Sequence, residues 1–177
     1  VYKEINDEAL QVKSKAVSLC KKLEVVSPSK WLLKNAEESN MFRKAGFHHI
    51  KYGLDFTIFK LHNKDFARQV FNLPLNKKVL LFVSESVNNY RKGFDMVLDA
   101  VKHVNLQKDF IILTVGTLFS DLPQIGNMIN LGPIQDERLM SLIYAASDLF
   151  ILPSREDNFP NVMLESFACG TPVLAFK

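Results

Sequence analysis

The second half of the chain, from about Lys77 onward, alternates short apolar runs with longer amphipathic segments. Five of the runs have strand length, and residues with helical periodicity fill most of the intervals between them. The runs are KVLLFVS, DFIILTVG, MINLG, DLFILP and TPVLAF. Continuous apolar strands are typical of a parallel sheet buried on both faces, because parallel neighbours need crossover connections that cover the sheet. The pattern therefore predicts an α/β domain with a doubly wound parallel sheet.

The first part of the chain has a less regular pattern that still predicts helices and short strands. Ser27 and Pro28 are typical of an N-cap followed by a first-turn proline, so a helix is expected after them. The predicted elements are a helix over Asn6–Leu23, a strand in LEVVS, a helix in SKWLLKNAEES, a strand over Phe47–Gly53 and a helix over Lys64–Phe71. We therefore predict a partial domain over residues 1–60, a linker helix and turn over 61–76, and the sheet domain over 77–177.

Composition narrows the classes of function without selecting one. With 47% apolar residues the chain can bury a core, and its net charge of +3 is only mildly basic. Such a charge does not favour a nucleic-acid partner, but it is compatible with a small anionic ligand. Cys20 and Cys169 stand far apart without a CxxC or Cys/His cluster, which predicts two free thiols with a packing role and no metal site. No apolar run approaches the ~20 residues that span a bilayer, so we expect a cytoplasmic protein.

The first strand of the sheet leads into a loop that carries candidate phosphate ligands. In doubly wound sheets, ligands bind outside the carboxyl ends of the strands. Here SESVNNYRKG brings Arg91 and Lys92 to the start of a helix, where the helix dipole and two cations together suit a diphosphate. Gly93 would let the backbone approach the ligand, and Ser84 at the strand end is a further binding candidate. The alternative is a solvated Arg-Lys pair in an exposed turn.

Two further strand ends carry glycines. Gly116 would remove a side chain at the edge of the crevice, and the Gly132-Pro133-Ile134 segment would present backbone groups and one apolar side chain to a flat ring. Either loop could equally be ordinary turn chemistry. Gly116, Gly132 and Ile134 are therefore candidates for the border of a base-binding site.

The fourth strand leads into PSREDNFPNVMLESFACGTPV, which carries three carboxylates. Pro160 fits the first position of a helix that Asn158 or Phe159 would cap and that Gly170 would end. Four apolar side chains of this helix are expected to face the sheet: Val162, Met163, Phe167 and Ala168.

Asn161 and Glu165 are four positions apart and share another face of that helix. A carboxylate at Glu165 could accept hydrogen bonds from the two vicinal hydroxyls of a ribose. Glu156 and Asp157 precede the helix, where a carboxylate can orient sugar hydroxyls. Acidic residues also favour a helix start for electrostatic reasons alone, so this alternative stays open.

These segments resemble the retaining glycosyltransferases of the GT-B fold, in the large group that includes glycogen-synthase-like and bacterial polysaccharide-assembly enzymes. RKGFDMVLDA resembles the family's Lys-Gly helix start, and LPSREDNFPNVMLESFACGTPVLAF resembles its most specific segment. VVSPSKWL and IKYGLDFTIFK resemble the end of the acceptor-side domain and its crossover, with Tyr52 where the family usually has asparagine. The resemblance implies a Rossmann-like nucleotide domain that forms one half of a GT-B fold.

The resemblance also implies an activity and roles for the candidate residues. The family transfers a sugar from a nucleoside diphosphate sugar to a hydroxyl of a carbohydrate or lipid-linked acceptor, with retention of anomeric configuration and without an obligatory metal or other cofactor. Lys92 with Arg91 would bind the donor diphosphate, and Glu165 would hold the ribose. The family has two glutamates separated by seven residues, and Asp157 occupies the first of these positions. Asp157, aided by Asn158, would therefore hold the sugar, with Glu156 as the reserve candidate.

Several other functions compete with this interpretation. An NAD-dependent oxidoreductase would need GxGxxG after the first strand, which SESVNNYRKG lacks. The SxxK match at Ser27–Lys30 lacks its companion motifs, and His48-His49 is expected to be structural. A non-catalytic module that binds a nucleotide sugar remains the second hypothesis. Both ends of the sequence look cut, so we expect part of a longer protein, whose missing domain could contact the inner face of a membrane.

Overall fold

The structure is a computed structural model that describes residues 2–103, 109–118 and 127–176, with the side chains of residues 2–6 and 103 omitted from the description. The segment RKGFDMVLDAVKHV is predicted to form a helix, and its last residue, Val104, lies outside the described part, as do the terminal residues Val1 and Lys177. The chain divides into two compact units, Val1–Gly53 and Leu54–Lys177. None of the helices in the described ranges combines the length and the apolar composition of a membrane-spanning helix.

The first unit pairs two short parallel strands with two helices. Its elements are α1 (Tyr2–Ser18), β1 (Glu24–Ser27), α2 (Lys30–Glu38), a 3-10 helix (Asn40–Phe42) and β2 (Gly46–His49). β1 and β2 are in register from Glu24 opposite Gly46 to Ser27 opposite His49. His48 Nε2 lies 2.9 Å from Glu24 Oε2, a cross-strand contact that gives this histidine the structural role expected of it.

Three details of the first unit differ from the predictions. The helix α1 ends at Ser18, short of Leu23, and β2 ends at His49, short of Gly53. The N-cap of α2 is Ser29, whose hydroxyl accepts a hydrogen bond from the Leu32 amide at 3.1 Å. Ser27 was the wrong capping residue because it is the buried last residue of β1, and its hydroxyl donates to the Ser29 carbonyl.

The second unit contains the predicted doubly wound sheet. Its elements are α3 (Lys64–Val70), β3 (Lys78–Ser86), a 3-10 helix (Tyr90–Lys92), α4 (Phe94–His103), β4 (Phe110–Thr117), β5 (Met128–Asn130), α5 (Glu137–Ala146), β6 (Leu149–Leu152), α6 (Asn161–Ala168) and β7 (Val173–Ala175). The five strands are parallel and run in the order β5-β4-β3-β6-β7. This arrangement confirms the predicted α/β fold class, because the five strands are the five apolar runs.

Side chains alternate between two apolar cores on the opposite faces of the sheet. Val79 and Leu81 of β3 pack on one face with Ile143 and Tyr144 of α5, and Phe82 packs on the other face. The core around Phe82 also contains the inward side of α4: Phe94, Val97, Leu98 and Val101. Because β3 and β4 are buried on both faces, their apolar runs are continuous, and this continuity is the pattern visible in the sequence.

Residues 54–76 belong to the second unit, whereas the predicted boundaries fall at residues 60 and 76. Phe59, Ala67 and Leu73 are buried in the same core as β3 and α5. The guanidinium of Arg68, 4% exposed, donates to Asp148 Oδ2 at 2.6 Å and to the backbone carbonyl of Ala146 at 3.0 Å. The segment expected to be a linker is thus fixed to the base of the sheet by buried apolar and polar contacts.

Candidate functional site

The candidate site lies where the strand order reverses. Beginning at β3, the chain moves to β4 and β5 on one side and then returns to β6 and β7 on the other side. β3 and β6 are therefore neighbours, and the loops that follow them, residues 87–93 and 153–160, leave from adjacent strand ends. A reversal of this kind opens a crevice outside the carboxyl ends of a parallel sheet.

Two ion pairs join these loops across the crevice. Lys92 Nζ lies 2.7 Å from Asp157 Oδ2, and Arg91 Nε lies 3.3 Å from Glu156 Oε2. The side chains of Lys92 and Asp157 are 32% and 22% exposed, whereas those of Arg91 and Glu156 are 66% and 73% exposed. Since water screens exposed charges, the inner pair is the stronger one.

The Asp157 carboxylate is held by more than Lys92. The Ser154 hydroxyl donates to Oδ2 at 3.3 Å, and the Asn158 backbone amide donates to Oδ1 at 3.0 Å. These donors fix the orientation of Asp157 inside its loop. The structure therefore brings together four of the predicted residues, Arg91, Lys92, Glu156 and Asp157.

Gly93 is required by the contact between the two loops. Its φ is +73°, and a Cβ atom here would overlap the carbonyl oxygen of Pro153 in the loop after β6. Left-handed backbone and close approach both favour glycine. The contact with the neighbouring loop is thus one reason for a glycine at this position. The approach of a ligand to Gly93 stays a prediction.

Among the contacts that the structure describes, none joins Glu165 to these ion-paired residues. Glu165 is instead hydrogen-bonded to Tyr144. The Tyr144 hydroxyl, which belongs to a fully buried side chain, donates to Glu165 Oε2 at 2.7 Å. Burial raises the pKa of Glu165, and the Tyr144 hydrogen bond only partly opposes this effect. Burial and the nearby Glu165 charge raise the pKa of Tyr144 well above its usual value, so Tyr144 is the hydrogen-bond donor.

The helix that carries Glu165 begins one residue later than predicted. Pro160 is the N-cap of α6 and makes no side-chain capping bond, so neither Asn158 nor Phe159 caps this helix. Gly170 follows the helix with φ of +79°, as expected.

The predicted inward face of α6 is only partly confirmed. Val162, Met163 and Ala168 pack against the core, but Phe167 is 55% exposed. Asn161 is also exposed. The buried position next to Phe167 is Ser166, whose hydroxyl donates to the Thr171 carbonyl at 2.9 Å.

The remaining predicted residues form a second group at the ends of β3, β4 and β5. A Cβ atom at Gly116 would overlap the Ser84 carbonyl oxygen, and the Gly116 amide donates to the Gly132 carbonyl at 2.9 Å. The Ser84 hydroxyl donates to the Ser86 carbonyl at 2.8 Å. Gly132 has φ of +73° and open space around its Cβ position, and Ile134 packs partly buried against the core. These contacts give Gly116 a packing reason and Gly132 a conformational one.

Three residues of the site were missed by the sequence analysis. Arg155 pairs with Asp95 across the crevice, and Tyr144 holds Glu165. Opposite charges in the loop after β6 and in the first turn of α4 were the available indication for Arg155 and Asp95. The hydroxyl of a tyrosine on the buried face of α5 was the indication for Tyr144, because buried polar groups need partners.

Neither a metal cluster nor a disulfide is found among the described residues. No group of three or more His, Cys, Asp or Glu side chains in those ranges is placed to hold a metal ion. Cys169 is a buried free thiol whose pKa burial raises, which fits the expected packing role. Cys20 is also a free thiol, but it is exposed, so the packing role predicted for it is wrong.

Comparison with known proteins identifies the family. The sequence model of the family described as glycosyl transferases group 1 matches residues 77–177, which is more than half of the chain. The chain belongs to this family. Among curated glycosyltransferases, the D-inositol 3-phosphate glycosyltransferase of Mycolicibacterium smegmatis is 30% identical over 135 residues, covering 70% of this chain and 30% of that protein. The chain thus spans about a third of the length of the curated relatives that it matches.

Solved glycosyltransferase structures share the fold. Sucrose-phosphate synthase from Thermosynechococcus elongatus superposes with a TM-score of 0.75 at 21% identity, covering 96% of this chain and 44% of that one. Anabaena HepE, solved in complex with UDP and glucose, has a TM-score of 0.70 at 19% identity, covering 94% of this chain and 47% of HepE. The predicted resemblance to a group 1 glycosyltransferase and the fold of one half of a GT-B enzyme are both confirmed.

Proposed function

We propose that this chain supplies the donor-binding part of a retaining glycosyltransferase, which transfers a sugar from a nucleoside diphosphate sugar to a hydroxyl of a carbohydrate or lipid-linked acceptor. The observation that carries the proposal is the meeting of Arg91 and Lys92 with Glu156 and Asp157 at the crevice between β3 and β6. Cations that face carboxylates at a strand-order reversal suit a ligand that joins a diphosphate to a polyhydroxylated sugar.

Lys92 and Arg91 would bind the diphosphate and stabilise the charge that develops on it as the sugar leaves. The Lys92 ammonium has three N–H donors, and its contact with Asp157 uses one of them. The remaining donors can serve phosphate oxygens, together with amides at the start of α4. Charge stabilisation by groups already in place is commonly a large catalytic effect. We propose that these groups act without an obligatory metal or other cofactor.

Asp157 would bind hydroxyls of the donor sugar. An ionised carboxylate only accepts hydrogen bonds, and Asp157 is already oriented by Ser154, Lys92 and the Asn158 amide. Its short side chain places the oxygens close to Lys92, so the sugar would sit beside the diphosphate. Glu156 lies at the more exposed end of the same loop and is the second candidate for a sugar hydroxyl.

Glu165 would bind the ribose hydroxyls of the donor. Tyr144 occupies Glu165 Oε2 and leaves Oε1 and further lone pairs for a ligand. Asn161 is exposed one turn before Glu165 on α6 and would assist Glu165 in binding the ribose. The base would lie along the second group, formed by Ser84, Gly116, Gly132 and Ile134. Because Gly116 and Ser84 touch through backbone atoms, this border has little side-chain bulk.

A titration of the full chain with UDP, ADP and GDP tests the proposal. We expect one of them to bind, Lys92→Ala to weaken that binding by about tenfold or more, and Glu165→Ala to weaken binding of the matching nucleoside as well. Lys102→Ala, which alters an exposed lysine on α4, is the matched control and should bind as the wild type does. If no nucleoside diphosphate binds, or if both site variants bind normally, the proposal fails.

The second candidate, a non-catalytic module that binds a nucleotide sugar, predicts the same binding without turnover. The ion pairs at the crevice would serve the binding of a nucleotide sugar whether or not transfer follows. Release of free sugar from the donor, measured with and without EDTA, separates the two. Slow hydrolysis that EDTA leaves unchanged and Lys92→Ala abolishes supports the transferase. Tight binding with neither hydrolysis of the donor nor transfer to added carbohydrate or lipid-linked acceptors supports the module.

A further inference from the structure

Arg155 connects the two loops of the crevice through four contacts. Its guanidinium forms a bidentate ion pair with Asp95, from Nη1 to Oδ1 at 2.7 Å and from Nη2 to Oδ2 at 2.6 Å. Nη1 also donates to the Tyr90 carbonyl at 2.7 Å, and the backbone amide of Arg155 donates to the Arg91 carbonyl at 2.8 Å. The guanidinium carbon lies 3.9 Å from the centroid of the Tyr90 ring, which is a cation–π distance.

The two hydrogen bonds to backbone carbonyls and the ring contact fall on the turn that carries the candidate diphosphate ligands, and the ion pair with Asp95 reaches the start of α4. Tyr90, Arg91 and Lys92 form a single 3-10 turn, which ends at the left-handed Gly93. Tyr90 is 71% exposed, so little apolar burial holds the turn in place. Arg155 therefore supplies contacts that the core does not, and they reach the backbone of the two residues directly before Lys92.

The guanidinium of Arg155 is occupied by protein groups. Both terminal nitrogens contact Asp95, and one of them also contacts Tyr90. A planar fork that matches a carboxylate in this way is specific to arginine, because the lysine ammonium is a single point of charge. The hydrogen bond from Arg155 lowers the pKa of Asp95, so the pair is charged at neutral pH. The hydrogen-bonding groups of the guanidinium thus point toward Asp95 and Tyr90, and Arg155 can orient these two residues.

We propose that Arg155 and Asp95 form a positioning clamp that presents Arg91 and Lys92 to the diphosphate of the donor. The inference rests on the proposed function, since it needs a diphosphate in the crevice. Without the clamp, the turn would have to be ordered when the ligand binds. The energetic cost would fall on the diphosphate contacts, while the nucleoside contacts around Glu165, which lie on α6, would keep their geometry.

The test compares a nucleoside monophosphate with the matching diphosphate, using the pair that binds the wild-type full chain. Asp95→Asn and Arg155→Gln are each expected to weaken diphosphate binding by about three- to tenfold, the factor that ordering one or two long side chains carries. Monophosphate binding should change by less than about twofold. The double variant should lose no more than either single variant, because the two residues act as one unit. Asp95→Glu should partly restore the diphosphate affinity.

Asp99→Asn is the matched control, because Asp99 is an exposed carboxylate one turn further along α4 that forms an ion pair with its helix neighbour Lys102. It should bind both ligands as the wild type does, and thermal melting should show all variants folded. Equal losses of monophosphate and diphosphate affinity would overturn the clamp. A much larger loss of diphosphate affinity in Arg155→Gln than in Asp95→Asn, with additive losses in the double variant, would also overturn it. That result would make Arg155 a direct ligand of the diphosphate. Absence of wild-type binding to every pair would overturn the proposed function itself, and the clamp with it.

Discussion

At the residue scale, the candidate site depends on carboxylates whose environments differ. Asp157 lies among Lys92, Ser154 and a backbone amide, which donate to its carboxylate and fix its orientation. Burial raises the pKa of Glu165, and only the Tyr144 hydroxyl among its described partners works against this. The pKa of Glu165 is therefore set by its burial and its neighbours, and it lies above that of an ordinary glutamate.

Tyr144→Phe is expected to weaken recognition of the ribose while leaving the diphosphate contacts unchanged. The substitution removes one hydrogen bond to a charged group, so the preference for a ribonucleotide over its 2′-deoxy analogue should fall by about tenfold. It should also raise the pKa of Glu165 further, because the bond that favours the carboxylate is gone. Calorimetric titrations of both nucleotides across pH measure the two effects.

The sign of the pH effect is fixed by the raised pKa of Glu165. As pH falls through that value, the carboxylate takes up a proton and ribose binding is lost, at a higher pH than an ordinary glutamate would show. The folded chain binds this proton more tightly than the unfolded chain, so Glu165 itself favours folding as pH falls. Ser147→Ala, which removes a buried hydroxyl at the C-cap of α5 that donates to the Ile143 carbonyl, is the control. If Tyr144→Phe behaves like that control, Tyr144 has no part in nucleotide recognition.

At the element scale, the loops after β3 and β6 act as one structural piece because their backbones touch. Gly93 meets the Pro153 carbonyl, and the Arg155 amide donates to the Arg91 carbonyl. Gly132 has a similar φ but faces open space. Gly93 is thus required by its backbone conformation and by a close contact, whereas Gly132 is required by its backbone conformation alone.

Gly93→Ala should be more damaging than Gly132→Ala. A left-handed alanine costs about 1–2 kcal/mol of folding free energy, and Gly132→Ala should show this cost alone. Gly93→Ala adds the overlap with Pro153, so the loops must separate, and we expect both a larger loss of stability and a loss of diphosphate binding. Urea denaturation and nucleotide titration of both variants test this. Equal losses of stability would mean that the Pro153 contact relaxes without cost.

At the scale of the whole molecule, a polar network at the base of the sheet joins three elements of the second unit. Arg68 of α3 contacts Asp148 at the start of β6, and the Asp148 carboxylate accepts from the Val79 amide of β3 at 2.7 Å. Burial opposes the charged form of Asp148, but the Val79 amide, Lys64 and Arg68 outweigh it and lower its pKa. Asp148 is thus charged in the folded chain down to a lower pH than in the unfolded chain.

Acid should therefore destabilise the second unit through Asp148. A lowered pKa contributes stability above the unfolded value, and this stability is lost as pH falls below about 4. Arg68→Met should cost about 3 kcal/mol or more at neutral pH, because it leaves the carboxylate without its buried partner. Asp148→Asn should flatten the dependence of stability on pH in the acid range, whereas Asp99→Asn should not. Denaturation curves at pH 7 and at acid pH measure the free energy of unfolding of each variant. If that free energy falls with acid as steeply in Asp148→Asn as in the wild type, Asp148 is not the cause of the acid sensitivity.

The sequence by itself determined the sheet, its helices and the loops in which ligands are to be sought. Apolar runs and helical periodicity are local properties, and parallel strands place all their carboxyl ends at one edge. The segment from Pro153 to Val173 was also sufficient to indicate the family, because the candidate ligands of a strand-end loop are close together in the sequence.

Only the tertiary structure decided which side chains meet. Lys92 and Asp157 are 65 positions apart, and their pairing depends on β3 and β6 being neighbours in the sheet. The Tyr144–Glu165 bond and the Arg155–Asp95 clamp likewise join residues on different elements. The capping of α2 by Ser29 and the exposure of Phe167 depend on where β1 ends and how α6 is turned. Such contacts are set by the packing of elements, and periodicity along the chain carries no information about partners across it.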